Sequence, residues 1–145
     1  MTSASPWYGR EWQLIASVDA VFIGLDCKTL SRAREKPALF HPKPPLPLRS
    51  EFHPRGLPGL SSRGREKDEQ KVREANGMAD FVILLMSSLH VLGIGVAVEQ
   101  PKTSYFFLFT AMMKILQLPW CFFIWFFSCC WGGARRKATA VVTNM

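Results

Sequence analysis

Blocks of apolar and polar residues follow one another along this chain, and their lengths predict strands and helices. One short apolar run, residues 21–25, meets Asp26 and Cys27, and a second, residues 94–98, meets Glu99. Continuous apolar runs of this length are typical of strands buried in a parallel sheet. We therefore expect two parallel strands, with a thiol just beyond one and a carboxylate just beyond the other. Such groups share one crevice when the strands are neighbours.

A helix is expected between these two strands. Apolar residues recur there at steps of three and four, and Gly93 is a typical helix stop. From Phe81 onward apolar residues surround the helix, which predicts burial on most of its sides. The recurring stripe consists of Val72, Ala75, Ala79, Val82, Met86 and Leu89.

The last third of the chain predicts one more helix and two more strands. Residues 105–118 fit a helix that ends before Pro119, because the residue before a proline disfavours helical geometry. Residues 121–127 are aromatic and fit a buried strand, and residues 140–143 fit a final strand. The order of elements, with helices between strands, is typical of a layered α/β fold.

A proline-rich segment interrupts the predicted series of strands and helices. Seven prolines lie between residues 37 and 58, and proline fixes φ and removes a hydrogen-bond donor. We predict an irregular loop over residues 37–65, within a partial domain that spans residues 21–145 and follows an N-terminal extension over residues 1–20. A loop of this length inside a domain is usually functional or disordered.

The apolar runs also allow a membrane hairpin. Residues 79–98 and 105–131 are long enough to span a bilayer as helices, and the basic residues around them favour both ends on the cytoplasmic side. Lys114 inside the second run and the kink at Pro119 disfavour this alternative. Hydropathy by itself leaves the two-span membrane protein open.

The charge and the cysteine content indicate which partners and which cellular compartment suit this chain. Eighteen basic against 11 acidic residues give a net charge of +7, which suits DNA or an anionic membrane, or serves solubility alone. None of the four cysteines has the C-x-x-C spacing of a zinc or redox site. The polar start, residues 1–10, does not fit a secretory signal. We expect an intracellular protein of the nucleus or cytoplasm, with reduced thiols and no metal.

Two residues are the candidates for chemistry. The thiolate form of Cys27 would be favoured by the nearby cations Lys28, Arg32 and Arg34, which also suit phosphate. Cys27 is alternatively a small buried apolar residue. Glu99 ends a strand so apolar that burial is expected, and a buried carboxylate is costly unless it is paired or functional. Its alternative is a surface cap.

The segments around both residues match a known set of motifs. Residues 24–34 read GLDCKTLSRAR, residues 98–104 read VEQPKTS and residues 132–142 read GGARRKATAVV. Shorter matches lie between the first two: LRS at 48–50, GLP at 56–58 and AN at 75–76. In this order the motifs resemble those of DNA cytosine-5 methyltransferase-like proteins, and most closely the divergent forms found in protists and mobile elements.

The resemblance covers residues 21–144 and implies an incomplete Rossmann-like methyltransferase sheet. It implies that Cys27 adds to C6 of a cytosine in DNA and that Glu99 contacts N3 and the exocyclic amine. It also implies S-adenosylmethionine as the methyl donor. The basic residues expected to contact phosphates are Arg32, Arg34, Arg135, Arg136 and Lys137.

Several positions depart from the family pattern. Asp26 stands where the family has proline, and Gln100 stands where it has asparagine. Arg135, Lys137 and Thr139 occupy positions of glutamine, arginine and arginine. Residues 1–20 contain no strand followed by the Gly-rich turn that holds S-adenosylmethionine. We therefore expect a truncated or inactive methyltransferase-like protein, with the membrane protein and a basic nucleic-acid-binding remnant as alternatives.

Overall fold

The computed structural model describes residues 17–35, 43–132 and 137–145, which form a mixed α/β structure around a four-stranded sheet. The strand order is β1-β2-β4-β3, with β1 parallel to β2 and the other two pairs antiparallel. The strands and helices are β1 (Ala20–Gly24), α1 (Glu66–Val91), β2 (Gly95–Pro101), α2 (Thr110–Ile115), β3 (Phe122–Phe127) and β4 (Ala138–Thr143). Four 3₁₀ helices accompany them: Arg32–Glu35, Ser61–Arg63, Tyr105–Leu108 and Ser128–Trp131.

The predicted parallel pair is confirmed. β1 and β2 are hydrogen-bonded neighbours whose register sets Gly24 opposite Glu99. Parallel neighbours need a long crossover connection, and the segment that contains α1 supplies it. β2 continues three residues beyond the predicted end at Val98, so Glu99 lies inside the strand and not after it.

The ends of α1 follow from local interactions. Glu66, Asp68 and Glu69 lie in its first turn, where negative charge interacts favourably with the helix dipole. At the other end Gly93 has a φ of 73°, which glycine adopts without steric cost. The backbone N–H of Ile94 donates to Leu89 and that of Gly93 donates to His90, the hydrogen-bond pattern of a Schellman cap. The predicted stop at Gly93 is thus confirmed.

One main core lies between the sheet and the helices. From α1 it takes Ala79, Val82, Met86 and Leu89 of the predicted stripe, while Ala75 is half-buried and Val72 belongs to a second cluster. From the sheet it takes Val96 and Val98, and from the segment after β2 it takes Phe106. Burial of apolar side chains of this kind is the main favourable term in folding.

The prediction that α1 is buried on most of its sides from Phe81 onward is wrong. Phe81, Leu84 and Val91 are 58%, 65% and 83% exposed. The main core covers one side of α1, and among the described residues no second layer packs against the opposite side.

The predicted second helix is shorter than expected. Residues 105–108 form a 3₁₀ turn, Phe109 is extended with ψ at 131°, and α2 covers Thr110–Ile115 alone. The apolar run 79–98 is likewise divided between α1 and β2, and the run 105–131 is divided among short helices and β3. No helix in the described part of the chain has the length and apolar character needed to cross a membrane.

The proline-rich segment is irregular from residue 43 to 65 apart from one 3₁₀ turn, as predicted. It nonetheless packs against the helix. Leu48 and Leu60 are buried with Val72 of α1 in a second, smaller apolar cluster. The segment therefore has a fixed place on the α1 side of the molecule.

Candidate functional site

The turn after β1 carries Cys27. Asp26 accepts a hydrogen bond from the backbone N–H of Lys28, and the Cys27 carbonyl accepts from the N–H groups of Leu30 and Ser31 at 3.1 and 2.7 Å. These bonds close a compact turn and leave Cys27 half-buried. Cys27 is thus partly accessible just beyond the carboxyl end of β1.

Glu99 lies on the neighbouring strand at the same end of the sheet. Its side chain is 28% exposed, and one carboxylate oxygen lies 3.3 Å from Nζ of Lys137. Lys137 precedes β4, which pairs with β2 in a register that sets Glu99 opposite Val141. The antiparallel return of β4 therefore joins two predicted site residues from distant parts of the sequence.

A buried amide holds the Cys27 turn against β2. Gln100 is fully buried, and its Nε2 donates to the carbonyl of Leu25, while Oγ of Ser104 donates to its Oε1 at 3.0 Å. The carbonyl of Leu30 accepts from the N–H of Tyr105 at 2.8 Å. Residues 25 and 30 flank Cys27, so β2 and the segment that follows it fasten the turn on both sides. Buried polar groups joined in this way rigidify a structure.

A buried arginine fastens the same turn from the opposite direction. Arg49 is 1% exposed. Its guanidinium donates to the carbonyl and the hydroxyl of Thr29 at 2.9 and 3.1 Å, and to Oδ1 of Asn76 at 2.8 Å. It also donates to the carbonyls of Pro54 and Val72. The Cys27 turn, the proline-rich segment and α1 thus meet at one side chain.

The electrostatics of Arg49 are unusual because all its hydrogen-bond acceptors in the described residues are uncharged. Burial, with a smaller effect of the nearby Arg55 charge, lowers its pKa to about 10. Arg55 itself makes a two-pronged ion pair with Asp80 at 2.7 and 2.8 Å. The hydrogen bonds between the two side chains lower the pKa of Asp80 and raise the pKa of Arg55.

Arg32, a predicted phosphate contact, has protein partners. Its Nη1 lies 2.7 Å from a carboxylate oxygen of Glu51, and its guanidinium lies 5.0 Å from the centre of the Tyr105 ring. The Tyr105 hydroxyl donates to Glu35 at 2.7 Å. Burial, together with this hydrogen bond, raises the pKa of Tyr105 to about 12. Arg32 thus contributes to a local cluster of charges beside the turn.

The structure describes only some of the other residues that were predicted to contact phosphates. Lys137 is exposed beside Glu99. Arg135, Arg136 and the side chain of Arg34 lie outside the described residues.

A cavity of about 360 Å³ lies on the α1 side of the turn. Asp26, Lys28 and Thr29 line it from the turn, and Lys71, Glu74, Ala75 and Met78 line it from α1. Neither Cys27 nor Glu99 belongs to this lining. The two candidate residues are therefore related by strand register and by the end of the sheet they share, and not by this cavity.

Two residues that position the site were not singled out from the sequence. Arg49 was part of the LRS match but had no assigned role, and Gln100 was noted as a departure from asparagine. Arg49 lies between Leu48 and Ser50, and Gln100 lies between Glu99 and Pro101, so neither stands inside an apolar run that would predict burial. The turn residues that they bind, Thr29 and Leu25, lie 20 and 75 positions away, so no local signal identifies these contacts.

No family model, no curated protein and no solved structure matches this chain.

Proposed function

We propose that this chain is a DNA cytosine-5 methyltransferase-like protein with an incomplete Rossmann-like sheet, which retains the cytosine-binding side of such a site. One observation carries the proposal: the matched motifs are connected through hydrogen bonds. Thr29 of the first motif bonds Arg49 of the LRS match, which bonds Asn76. Leu30 of the first motif accepts a hydrogen bond from Ser104 of the VEQPKTS motif. Motif residues 20 to 74 positions apart thus support a single turn, the one that carries Cys27.

In this proposal the base lies out of the duplex beside the carboxyl ends of β1 and β2, because a stacked base cannot reach such a position. The Cys27 thiolate forms a bond to C6, and the electron pair of the C5–C6 double bond moves into the ring toward N3. A proton passed to N3 through the Glu99 carboxyl group neutralises that charge, and the exocyclic amine donates a hydrogen bond to the same carboxyl group. Lys137, at 3.3 Å, keeps the carboxylate oriented. The net charge of +7 supports binding to the DNA backbone.

The described residues do not fit S-adenosylmethionine. A Gly-rich turn after a parallel strand is what lets a backbone approach such a ligand closely. Glycines with positive φ occur at positions 56, 59, 64, 93 and 132, and none of these follows the carboxyl end of β1 or β2 in the described chain. The proposal therefore covers binding of DNA and addition of the thiol, and it derives no methyl transfer.

Covalent capture tests the thiol step separately from methyl transfer. The probe is a DNA duplex with one 2-pyrimidinone base, whose electrophilic C6 accepts a thiol while a proton from water goes to C5, without a methyl donor. We expect a one-to-one adduct visible by denaturing electrophoresis and intact mass. Cys27→Ser should abolish it, and Cys121→Ser, at the half-buried cysteine before β3, should leave it unchanged.

An adduct that survives Cys27→Ser would overturn the assignment of Cys27. DNA binding without any adduct would favour the basic nucleic-acid-binding remnant instead. Calorimetry with S-adenosylmethionine completes the test, and we expect no saturable binding.

A further inference from the structure

The two faces of the sheet differ in what covers them. Val96 and Val98 of β2 point into the main core, to which α1 and α2 also contribute. Successive side chains of a strand point to opposite faces, so Ala97 and Glu99 point away from that core. Phe22 lies opposite Ala97 in the register of β1 and β2 and is 69% exposed. An aromatic ring and a carboxylate therefore share the face that neither α1 nor α2 covers.

A gap in this open face lies beside Glu99. Gly24 is opposite Glu99 in the register, and a Cβ placed on Gly24 would meet no atom within 4 Å. Phe22 lies two positions earlier on β1, so its Cβ is about 8 Å from that of Glu99, given the spacing of neighbouring strands and of residues along a strand. The exposed ring and the carboxylate thus border one open space above Gly24.

The Glu99 carboxylate retains an oxygen that can accept a hydrogen bond. Its Oε1 lies 3.3 Å from Nζ of Lys137, and within residues 17–35, 43–132 and 137–145 no hydrogen bond reaches the other oxygen. The side chain is 28% exposed, so a ligand can approach it. An ionised carboxylate accepts hydrogen bonds and donates none, and it therefore selects a ligand that carries N–H or O–H groups.

A nucleobase has the shape and the chemistry that this space requires. Unpaired bases stack on exposed aromatic side chains, and the exocyclic amine of cytosine supplies N–H donors where thymine has a carbonyl oxygen. The net charge of +7 suits the phosphates of the strand that carries the base. A lipid chain or an apolar protein surface would cover the Glu99 carboxylate without a donor, which is costly.

We propose that the open face of the sheet binds one unpaired base that has an exocyclic amine. The base stacks on Phe22 above Gly24, and its amine donates to Glu99. This inference deepens the proposed function, on which it rests for the choice of cytosine in DNA, and it assigns a role to Phe22 and Gly24. Stacking and the hydrogen bond require no bond to Cys27.

Reversible binding of a fluorescein-labelled oligodeoxycytidylate to the full chain, measured by anisotropy without a methyl donor, tests the stacking contact. Phe22→Ala should weaken binding by about tenfold, because one base loses its aromatic platform. Phe22→Trp should preserve binding, which shows that the alanine variant loses the ring and not the fold. Phe81→Ala is the matched control at another exposed phenylalanine, 58% exposed on α1, and it should leave binding unchanged.

Two further variants test the gap and the carboxylate. Gly24→Val fills the gap at a position that is not among the glycines with positive φ, so it should weaken binding by about tenfold without lowering the melting temperature. The wild-type chain should prefer oligodeoxycytidylate to oligothymidylate by about tenfold. Glu99→Gln should reduce this preference, because an amide also donates to the thymine oxygen.

Several results would overturn this inference. They are no binding by the wild-type chain, binding unchanged in Phe22→Ala or Gly24→Val, and equal binding of an abasic strand of the same length, which offers only phosphates and sugars. A Cys27 adduct on the 2-pyrimidinone duplex that forms equally well in Phe22→Ala would overturn it and preserve the proposed function. Binding that depends on Phe22, without any Cys27 adduct, would support it and refute the thiol step.

Other occupants of the open face would give different results. A wild-type dimer in sedimentation that Phe22→Ala dissociates would assign the face to a second copy of the chain. Retention on neutral phosphatidylcholine vesicles that Phe22→Ala abolishes would assign the face to lipid. Either result would overturn the assignment of a base to this face.

Discussion

The buried hydrogen bonds of the turn after β1 and the exposure of the edge strand β3 are the opposite of what their compositions suggest. Residues 25–30 include Asp26, Lys28 and Thr29, yet the turn is fastened by buried hydrogen bonds from Arg49 and Gln100. β3 has no polar residue over Phe122–Phe127, yet four of its side chains are about half exposed. The comparison shows that the place of an element in the sheet decides burial, and that local hydropathy does not.

The largest contrast is expected between two phenylalanines. Phe106 is fully buried and Phe123 is 41% exposed. Phe106→Ala should lower the free energy of unfolding by about 4 kcal/mol, because it removes apolar contacts and leaves a cavity. Phe123→Ala should cost about 1 kcal/mol. Urea unfolding of both variants measures the difference. Equal losses would contradict the exposure of β3.

Removal of the buried Arg49 guanidinium is expected to cause the next largest loss of stability. Arg49→Ala leaves the carbonyl of Thr29 and Oδ1 of Asn76 without the donor they now have, so we expect a loss of about 3 kcal/mol. The control is Arg73→Ala at an exposed position of α1, with an expected change below about 0.5 kcal/mol. Thermal unfolding at neutral pH distinguishes them. Similar changes for both would mean that Arg49 does not fasten the turn.

Removal of the buried amide should loosen the Cys27 turn itself. Gln100→Ala leaves the Leu25 carbonyl unpaired and should cost about 2 kcal/mol. Because a loosened turn opens more often, the Cys27 thiol should react several times faster with iodoacetamide, as measured by mass spectrometry of the Cys27 peptide. Gln70→Ala, on the exposed side of α1, is the control. An unchanged rate at Cys27 would show that Gln100 supports the sheet and not the turn.

The smallest effect is expected from the exposed pair between Arg55 and Asp80. Their hydrogen bonds lower the pKa of Asp80 from 3.8, so this pair stabilises the fold above about pH 4 and stops doing so as the pH falls through the lowered pKa. Both side chains are about half exposed, which limits the contribution to about 0.5 kcal/mol. Asp80→Asn should therefore lower stability slightly at pH 7 and not at pH 2. A larger loss at pH 2 would contradict this sign.

Part of the fold was predictable because its signals are local. The stripe on α1 and the stop at Gly93 follow from helix periodicity and from the positive φ that glycine accepts. The two strands predicted over residues 21–25 and 94–98 follow from their apolar runs, whereas the continuation of β2 to Pro101 does not. The exposed outer side of α1 was not predictable, since periodicity shows which side is apolar but not how many layers cover it.

The candidate site, like the fold, has features that local sequence predicts and features that it does not. The sequence by itself determined that Cys27 and Glu99 each follow an apolar run, because a short run and its polar end are adjacent in the chain. The tertiary structure decided that Glu99 pairs with Lys137, that Arg49 and Gln100 hold the turn, and that β4 inserts between β2 and β3 to leave an aromatic strand at the edge. Each of these depends on contacts between residues far apart in sequence, and such contacts depend on strand order, which no local pattern encodes.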